Sequence, residues 1–429
     1  MHCKLASLSI TIRAELPTDV PLTLSPVRSL AGYCDEFGFP RREVIPEQSL
    51  TIRGPDAGGG GLAGAVSRVR VPPAYVAEIP GAQVTGLPYL LVGSDDTVLS
   101  DLWAASLHGG KNNGWQDDSI VSLVVFSSHA RRSVLWCSGV RKAGPVPEGI
   151  SLVERAESTW FNFVYQVAPK LMLVDRFREY DHLPLLVGDH LPPQARELLE
   201  MLNDKRREII SLRSLADNNK QVAFTAGKIT RVKGRSLLPP ATYRFERLVV
   251  PSPMALLRPY RSGEAKPDDH LINPAGIRWL REKLLPKAER GPLRRIYLSR
   301  ARQARRRLLN EDQVLALLVR CGFEVVYPEK LSFREQLNLF ANAEAVIGLA
   351  GSAFSGMIFS PAGAKFVVIA SGNPFPVCHR ADMLGFTVRF IPAASRAKSE
   401  GTLDGQHDDV KIELGRLRSV LSALGLDAG

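Results

Sequence analysis

One stretch, residues 296–369, constrains the fold of this 429-residue chain most strongly. It contains, in order, a short apolar strand pattern, a cluster of arginines, an amphipathic helix pattern and a glycine-containing turn after a further apolar run. This order is typical of a β-α unit that binds a nucleotide at the ends of its strands. The remaining segments are therefore interpreted by their relation to this stretch.

The positive charge of the chain is concentrated next to this stretch and inside it. The chain carries 55 Lys and Arg against 44 Asp and Glu, which gives a formal net charge of +11. Residues 278–307 hold twelve Lys or Arg and two Glu, so this segment accounts for ten of the eleven net charges. A basic surface attracts phosphorylated small molecules, nucleic acid or an anionic membrane. Nucleic acid is not expected as a partner, because the segment lacks interleaved aromatic residues and a recognisable binding module.

Cysteine usage and apolar runs indicate the compartment. The five cysteines are widely scattered, and no two are spaced like a metal clip or a redox dithiol, which indicates a reducing compartment. The N-terminal apolar run is too short for a secretory signal, and the apolar region 345–371 is interrupted by four glycines and a proline. We expect a cytoplasmic protein without a membrane span, and a peripheral contact with the cytoplasmic face of the membrane is left open.

The element patterns divide the chain into three parts. Residues 1–110 show short alternating runs between Pro and Gly clusters, which predicts a β-rich N-terminal extension. Residues 111–272 alternate strand and helix patterns, and residues 273–429 do so again. Such alternation favours parallel sheets with helices on both faces. The predicted fold class is α/β, with two Rossmann-like domains that follow the extension.

Local signals place several helix ends. Asn273 or Pro274 is predicted to open one helix, Asn310 to cap a second and Ser332 to cap a third. Pro169 lies inside the helical pattern of residues 159–177. It should kink or restart that helix, because proline lacks a backbone donor and clashes with the preceding turn.

A series of spaced landmarks between residues 297 and 359 carries a resemblance to a known family. The landmarks are Tyr297, Leu298, Ser299, Arg300, Arg307, Asn310, Glu311, Gly322, Phe323, Glu329, Leu331, Ser332, Phe333, Gln336, Phe340, Ala343 and the run 348–359. In this order they resemble glycosyltransferase family 61, whose bacterial members include capsular-polysaccharide biosynthesis proteins. The resemblance implies a two-domain GT-B architecture and inverting transfer of a sugar from a nucleotide-sugar donor bound mainly by the C-terminal domain. It also implies that no metal or other cofactor is needed, and that the acceptor is a glycan or a lipid-linked saccharide.

The chain departs from the family pattern at positions that carry polar groups in many relatives. Ala350 stands where a histidine is common, and Gly356 stands where an asparagine is frequent. In the helix before residue 171, Asn162, Gln166 and Lys170 replace the usual histidine, glutamate and arginine. Either the chain is a divergent member whose catalytic base lies elsewhere, or its catalysis is impaired.

The donor side of the predicted site is built around two arginines and a turn. A diphosphate leaving group needs positive charge and hydrogen-bond donors where negative charge develops. Arg300, at the end of the strand that begins at residue 296, and Arg307, one loop later, are placed for that contact. After Gly348, the backbone N–H groups of Gly351, Ser352 and Ala353 are further candidates for phosphate contacts, and close packing of a strand on a helix is the alternative interpretation of this turn.

Three polar residues complete the predicted donor site. Asn310 is interpreted first as a helix cap and second as a ligand contact, and Glu329 either as a ribose ligand or as a surface glutamate. Gln336 lies in the helix that follows. His379 and Arg380, predicted to lie in the loop after the strand around Phe366, are additional candidates for contacts with the donor sugar or phosphate.

The catalytic base is expected from the preceding domain, on loops that follow strands. His129 follows one apolar run, and Asp189 and His190 follow another. An imidazole or a carboxylate at such a position is suited to accept the proton of the acceptor hydroxyl. Each of the three is also compatible with an ordinary loop residue.

Two classes of function are consistent with the sequence. The first is a glycosyltransferase that builds a surface or capsular polysaccharide. The second is a catalytically impaired relative that binds a nucleotide sugar or glycan as a scaffold. Turnover of a nucleotide sugar separates the two classes.

Overall fold

The fold is taken from a computed structural model. It describes residues 22–54, 64, 66–85, 90–99, 124–128, 133–137, 140–154, 159–213, 223–225, 228–230, 241–257, 270–303, 306–370, 375–395 and 409–427. Within these residues the chain is a mixed α/β protein with three larger sheets and several two-stranded ones.

A five-stranded sheet, here called the C-terminal sheet, carries the stretch that dominates the sequence. All of its strand pairs are parallel. The strands, in spatial order, are Phe323–Val326, Arg294–Leu298, Ala343–Leu349, Lys365–Ala370 and Thr387–Pro392. In order along the chain this is 2-1-3-4-5, which is one of the common doubly wound α/β arrangements.

Both faces of the C-terminal sheet are buried, which explains the apolar runs of its strands. Ile296 and Leu298 pack into the largest core of the chain, and the intervening Tyr297 packs into a second core on the opposite face. Side chains of a strand alternate between its two faces, and a parallel sheet covered by helices on both faces needs apolar residues at both sets of positions. The second core also takes residues from the C-terminal helix Leu414–Ala423, among them Leu417 and Leu421.

A six-stranded sheet, here called the middle sheet, has a parallel part and an antiparallel part. Its strands, in spatial order, are Ile209–Leu212, Leu185–Gly188, Glu148–Ser151, Arg247–Pro251, Ala74–Pro80 and Arg41–Ile45. The first four are parallel, and the last two are added antiparallel. Strands from both sides of the predicted boundary at residue 110 therefore share one sheet. The domain boundaries themselves stay predictions.

The other strands form one mixed sheet and four hairpin-like pairs. The mixed sheet contains eight strands, in the order Val140–Ala143, Ala241–Arg244, Gln83–Thr85, Leu90–Val92, Val98–Leu99, Leu22–Arg28, Ser133–Cys137 and Val124–Ser128. The two-stranded pairs are Gln48–Arg53 with Val66–Val71, Ala223–Thr225 with Lys228–Thr230, Ala255–Leu257 with His270–Ile272, and Ala394–Ser395 with Val410–Lys411.

The helices begin where the capping residues predict. The α-helices are Leu30–Phe37, Trp160–Asn162, Lys170–Val174, Pro193–Leu202, Pro274–Leu284, Glu311–Arg320, Phe333–Ala341, Phe375–Leu384 and Leu414–Ala423; the 3₁₀ helices are Arg178–Tyr180, Leu285–Lys287, Pro328–Lys330 and Ser352–Phe359. Asn273 caps one helix through the backbone N–H of Ala275, and Ser332 forms a reciprocal capping box with Glu335. Asn310 occupies the predicted cap position, but its side chain makes no capping hydrogen bond.

The segment from Trp160 to Val174 is interrupted at the predicted proline. A short α-helix passes into the π-helix Phe163–Val167, and a new α-helix begins after Pro169. A π-turn accommodates one extra residue without leaving the helix, and such turns recur at functional sites. This segment, here called the aromatic segment, packs against the 3₁₀ helix Ser352–Phe359. None of the helices within the described ranges combines the length and the apolar character that a membrane span needs.

Candidate functional site

The candidate site lies where the strand order of the C-terminal sheet reverses. Strand Arg294–Leu298 lies between strand Phe323–Val326 on one side and strand Ala343–Leu349 on the other. In the second pair, Leu298 is aligned with Gly348. In doubly wound sheets, ligands bind outside the carboxyl ends of the strands at this reversal, called the switch point. The residues that follow the two strands are Ser299 and Arg300 on one side and Ala350 and Gly351 on the other.

Arg300 lies across this switch point. Its Nη1 atom is 3.3 Å from the place that a Cβ atom would take on Gly351, so the guanidinium group covers the turn after the neighbouring strand. Its Nε atom donates a hydrogen bond to the carbonyl oxygen of Arg306, 3.2 Å away. Burial lowers the pKa of the Arg300 guanidinium, the nearby Arg306 lowers it further, and the carboxylate of Glu329 raises it in part. The sequence prediction that Arg300 and Gly351 meet at one edge of the sheet is consistent with this geometry.

Further cations follow two neighbouring strands, Arg294–Leu298 and Phe323–Val326. The Arg302 guanidinium lies 4.5 Å from the ring centroid of Tyr327, and the Lys330 ammonium lies 6.0 Å from the same centroid. Arg306 has a positive φ of 57°, a conformation that is uncommon for residues other than glycine and that turns the loop back toward Arg300. This arrangement favours a bound anion, because several positive side chains share one partly buried edge.

The glycine turn shows the close packing that was the alternative interpretation of this segment. A Cβ atom on Gly348 would lie 3.0 Å from the Cβ of Leu298 and 3.1 Å from its carbonyl oxygen, so this glycine permits close packing of adjacent strands. Gly351 precedes the 3₁₀ helix Ser352–Phe359. The first N–H groups of a helix have no acceptor within it, so those of Ser352 and Ala353 remain candidates for a contact with an anion.

Arg307 and Asn310 lie in contact with the C-terminal segment instead. The guanidinium of Arg307 donates to Oδ2 of Asp409 from Nη2 at 2.6 Å and from Nε at 3.0 Å, and its side chain is half exposed. Asn310 donates from Nδ2 to the carbonyl oxygen of Ile412 at 3.0 Å and accepts from the backbone N–H of Ile412 at 3.2 Å. These contacts account for the missing helix cap at Asn310 and hold the loop that carries Arg300.

Glu329 and Gln336 have different surroundings. Glu329 is exposed in the 3₁₀ helix Pro328–Lys330 and contributes to the electrostatic environment of Arg300. Gln336 is buried and donates from Nε2 to the carbonyl oxygens of Pro328 and Leu331, at 3.1 and 3.3 Å. It therefore supports the backbone of the segment that carries Glu329.

One carboxylate near the switch point has a structural contact that the sequence did not reveal. Glu311, in the first turn of its helix, is buried and accepts hydrogen bonds from the hydroxyls of Tyr297 at 2.9 Å and Ser299 at 2.7 Å. Burial and the Glu311 carboxylate raise the pKa of the Tyr297 phenol. This network fixes the end of the strand from which Arg300 extends.

The predicted bases lie at the middle sheet or outside the described residues. Asp189 and His190 follow strand Leu185–Gly188, and His190 Nε2 lies 3.2 Å from Asp189 Oδ1 on the exposed surface. His129 lies outside the described residues. The parallel part of the middle sheet has its own switch point between Glu148–Ser151 and Arg247–Pro251.

Glu154 follows the first of these two strands. It pairs with the Nζ of Lys170 at 2.6 Å, and the Lys170 side chain is 2% exposed while that of Glu154 is 22% exposed. Lys170 stands where the family pattern has an arginine, so the positive charge at this position is retained. The Glu154 partner of Lys170 could not be predicted, because sixteen residues and a change of element separate the two.

The aromatic segment connects the two parallel sheets. Its Tyr165 is fully buried and donates from its hydroxyl to the carbonyl oxygen of Ser355 at 2.9 Å, and burial raises the pKa of this phenol to about 12. Phe163 and Tyr165 are buried, and Trp160 and Phe161 are half-buried. Arg380 lies in helix Phe375–Leu384, not in a loop, with its guanidinium 5.1 Å from the ring centroids of both Phe161 and Tyr165.

Gly356 accounts for one departure from the family pattern. A Cβ atom at this position would lie 2.2 Å from the ring carbons of Phe340, closer than any real contact. The aromatic ring therefore occupies the space that an asparagine side chain would need. Ala350, at the position of the common histidine, is half-buried at the switch point.

A doubly wound sheet with a cationic switch point defines an α/β protein of the kind that binds anionic ligands at strand ends. Residues 160–367 match the family model described as Glycosyltransferase 61, and this part of the chain belongs to that family of glycosyltransferases. The match begins in the aromatic segment and extends into strand Lys365–Ala370, so it includes the whole switch point of the C-terminal sheet and only one strand of the switch point of the middle sheet.

Two further comparisons were made. The chain is similar to the crystal structure of dodecameric iron-containing heptosyltransferase TibC in complex with ADP-D-beta-D-heptose, with 13% identity, a TM-score of 0.26, and coverage of 84% of this chain and 82% of that one. A similarity at this level carries no weight for fold or function. No curated protein sequence matches the chain significantly.

Proposed function

We propose that this glycosyltransferase moves a sugar from a nucleotide-sugar donor to a glycan or lipid-linked saccharide in the biosynthesis of a surface or capsular polysaccharide. The observation that carries the proposal is the placement of Arg300 over Gly351 at the switch point of the C-terminal sheet. The family match over residues 160–367 supports the glycosyl transfer itself. The architecture proposed for it is two Rossmann-like domains of GT-B type, with residues 273–429 on the donor side.

In this proposal the chain's own groups stabilise the leaving diphosphate, with inversion at the sugar and without a metal ion. Arg300 contacts the diphosphate, and the N–H groups of Gly351, Ser352 and Ala353 donate to its oxygens. Groups fixed in a partly buried site stabilise developing negative charge more strongly than the same groups do in water. Arg302, Arg306 and Lys330 add positive potential around the bound donor.

The base that receives the acceptor proton is proposed to lie at the carboxyl edge of the middle sheet. Asp189, His190 and His129 are the candidates that the sequence suggested, and Glu154 joins them because its partly exposed carboxylate follows strand Glu148–Ser151 and is kept near a fixed cation. A carboxylate of this kind is suited to general base catalysis when it reaches the acceptor hydroxyl. Replacing each candidate by its neutral isostere in a transfer assay identifies the base as the variant that loses turnover but keeps donor binding.

The proposal is tested by donor binding and hydrolysis with the purified chain. A panel of ADP-, CDP-, GDP-, UDP- and dTDP-sugars is screened for release of free nucleotide, and binding of the matching nucleoside diphosphate is measured by calorimetry. Arg300→Ala should weaken that binding by about 10- to 100-fold, the value of a charge-assisted hydrogen bond. Arg294→Ala is the matched control, because Arg294 lies at the other end of the same strand and pairs with Glu324 on the surface. Equal effects of the two variants would contradict the proposal.

A second candidate function is a scaffold that binds a nucleotide sugar or glycan without turning it over. The observations that favour it are Ala350 at the switch point and the Phe340 ring in the space beside Gly356, since both remove polar groups that relatives carry. Nucleotide-sugar binding in calorimetry without nucleotide release for any donor and acceptor would support the scaffold. Nucleotide release that Arg300→Ala abolishes would exclude it.

A further inference from the structure

Arg380 is a buried cation that the donor site above does not use. Its side chain is 1% exposed, and burial lowers the pKa of its guanidinium. Within the described ranges it forms no ion pair with a carboxylate, and its Nη1 atom has no hydrogen-bond partner. Its Nε atom donates to the thioether sulfur of Met357 at 3.2 Å, which is a weak acceptor.

The groups around Arg380 offset only part of the cost of burying it. The rings of Phe161 and Tyr165 lie 5.1 Å from the guanidinium, close enough for cation–π attraction. Neither ring offers an acceptor in the place of a carboxylate or carbonyl oxygen. A buried charge without a hydrogen-bonded counter-charge is expensive, so it requires an explanation, and a ligand that supplies the counter-charge is one.

A second buried donor lies beside the same tyrosine. The hydroxyl of Tyr165 donates to the carbonyl oxygen of Ser355, and the Oγ of Ser355 has no partner among the described residues. The carboxylate of Asp382, two residues from Arg380, accepts a hydrogen bond from the backbone N–H of Arg53 at 3.4 Å. Arg380 and Ser355 thus both contact Tyr165, and the Nη1 of one and the Oγ of the other lack an acceptor among the described residues.

The position of this cluster relates it to the donor site. The 3₁₀ helix Ser352–Phe359 begins beside Arg300, which touches Gly351, and reaches Arg380 at Met357. At about 2.0 Å per residue, these two contacts lie about 12 Å apart along the helix. That spacing suits a diphosphate at Arg300 with a sugar ring extending from it toward Arg380.

We propose that Arg380 and Ser355 bind an anionic group, a carboxylate or a phosphate, carried by the sugar that is transferred. This inference rests on the proposed function, because it places the sugar of a nucleotide-sugar donor along the 3₁₀ helix. It names the substrate class as an acidic sugar. A neutral sugar leaves the Arg380 cation without a counter-charge and binds more weakly.

The test measures thermal stability and binding of the full chain with free sugars at constant ionic strength. D-Glucuronate and D-glucose 6-phosphate are compared with D-glucose. At least one of the two anionic sugars should raise Tm in a concentration-dependent manner, and D-glucose should not. A rise with D-glucuronate identifies a carboxylate as the recognised group, and a rise with D-glucose 6-phosphate identifies a phosphate. Arg380→Met should weaken its binding by about 10- to 100-fold.

Matched variants separate this site from general effects. Arg281→Met is the control, because Arg281 donates to Ser360 at the end of the same 3₁₀ helix but has carbonyl acceptors; it should leave the response to the anionic sugar unchanged. If Arg380→Met does not fold, Ser355→Ala provides the same test by removing the second donor. No response beyond that of D-glucose, or a response that persists in Arg380→Met and Ser355→Ala, would overturn the inference.

The failure of this inference differs from the failure of the proposed function. Binding of a nucleoside diphosphate from the panel ADP, CDP, GDP, UDP and dTDP should be weakened in Arg300→Ala and unchanged in Arg380→Met. Nucleotide binding without a response to the anionic sugars overturns the acidic-sugar inference and leaves the function standing. A sugar response without binding of any nucleotide overturns the function as a donor-dependent transferase.

Discussion

The Nη1 atom of Arg300 lies 3.3 Å from the place where a Cβ atom would stand on Gly351. The two residues are 51 positions apart in the chain and follow neighbouring parallel strands. The side chain of one strand end therefore occupies the space left open by the other. This complementarity brings a guanidinium group and the first N–H groups of a 3₁₀ helix to one edge, which is the arrangement that a diphosphate requires.

Gly351→Ala should weaken nucleoside diphosphate binding by up to about tenfold, because the new methyl group displaces Arg300. The φ of Gly351 is 173°, an extended conformation open to any residue, so the free energy of unfolding should change by less than about 0.5 kcal/mol. Calorimetry and urea unfolding measure the two quantities. Gly363→Ala is the control, because Gly363 has a φ of +82° and lies apart from the site, so it should lose stability and keep affinity. If Gly351→Ala binds the nucleoside diphosphate as tightly as the wild type, Arg300 is not part of the binding site.

A second prediction concerns the clamp between Arg307 and Asp409. The Arg307 guanidinium and its backbone N–H lower the pKa of the Asp409 carboxyl. Because the folded-state pKa lies below the unfolded one, the pair contributes stability above the ordinary pKa of an aspartate, and this contribution is lost as the pH falls through the folded-state value. Asp409→Asn should therefore lower Tm at neutral pH, and the difference from the wild type should shrink in acid.

The same substitution should also affect donor binding. The clamp holds the loop whose Arg306 carbonyl accepts from Arg300, so Asp409→Asn should raise the KM for the donor and leave kcat nearly unchanged. Glu413→Gln is the control, because Glu413 is exposed and its ion pair with Arg416, at 3.6 Å, lies on the surface, where such pairs contribute little stability. A Tm difference that stays constant from neutral to acidic pH would contradict the role assigned to Asp409.

The sequence predicted the parts of this site that local patterns encode. Apolar runs followed by Arg300 and by Gly351 place both residues at strand ends, and parallel strands bring their carboxyl ends to one edge. The partners of Arg307 and Asn310 could not be predicted, because each lies 102 residues away and no periodic pattern connects them. An arginine and an asparagine in a basic loop therefore resembled ligands, although both are engaged with the C-terminal segment.

Arg380 shows a different limit of sequence interpretation. The sequence predicts a loop at this position, whereas Arg380 lies in a helix among buried residues such as Val377 and Ala381. The sequence does contain a signal for a buried helical position, because Arg380 stands between apolar residues at helical spacing. What it could not indicate is whether a carboxylate from elsewhere in the chain neutralises the charge, since that depends on tertiary contacts.

The packing of Gly356 against Phe340 gives a third prediction. Gly356→Ala should destabilise the fold by about 1–3 kcal/mol, because the ring must move to admit even a methyl group. In the Phe340→Leu background the same change should cost less, so the two substitutions are coupled by more than about 0.5 kcal/mol. Urea unfolding of the four proteins in this cycle measures the coupling. Gly415→Ala is the control, since no atom lies within 4 Å of its Cβ position and its stability should be unchanged or higher. Additive effects would show that Phe340 does not fill this space.

The ion pair of Glu154 and Lys170 should respond asymmetrically to mutation, which gives the fourth prediction. The Lys170 side chain is 2% exposed and that of Glu154 is 22% exposed, so the lysine depends on its partner while the glutamate still reaches water. Glu154→Met leaves a buried ammonium group without its carboxylate and should cost about 3–5 kcal/mol, the usual effect of breaking a buried pair. Lys170→Met leaves a carboxylate that water solvates in part, and it should cost less than Glu154→Met.

The double variant completes this experiment and bears on the family pattern. Glu154→Met with Lys170→Met removes both charges and should regain part of the stability lost in Glu154→Met, because no uncompensated charge remains. Unfolding in urea at neutral pH compares the three variants. Equal losses in the two single variants would show that burial does not distinguish the partners. The family pattern has an arginine at position 170, so Lys170→Arg should retain more stability than Lys170→Met. The stability that it retains is limited by the extra volume of the guanidinium in a closely packed site.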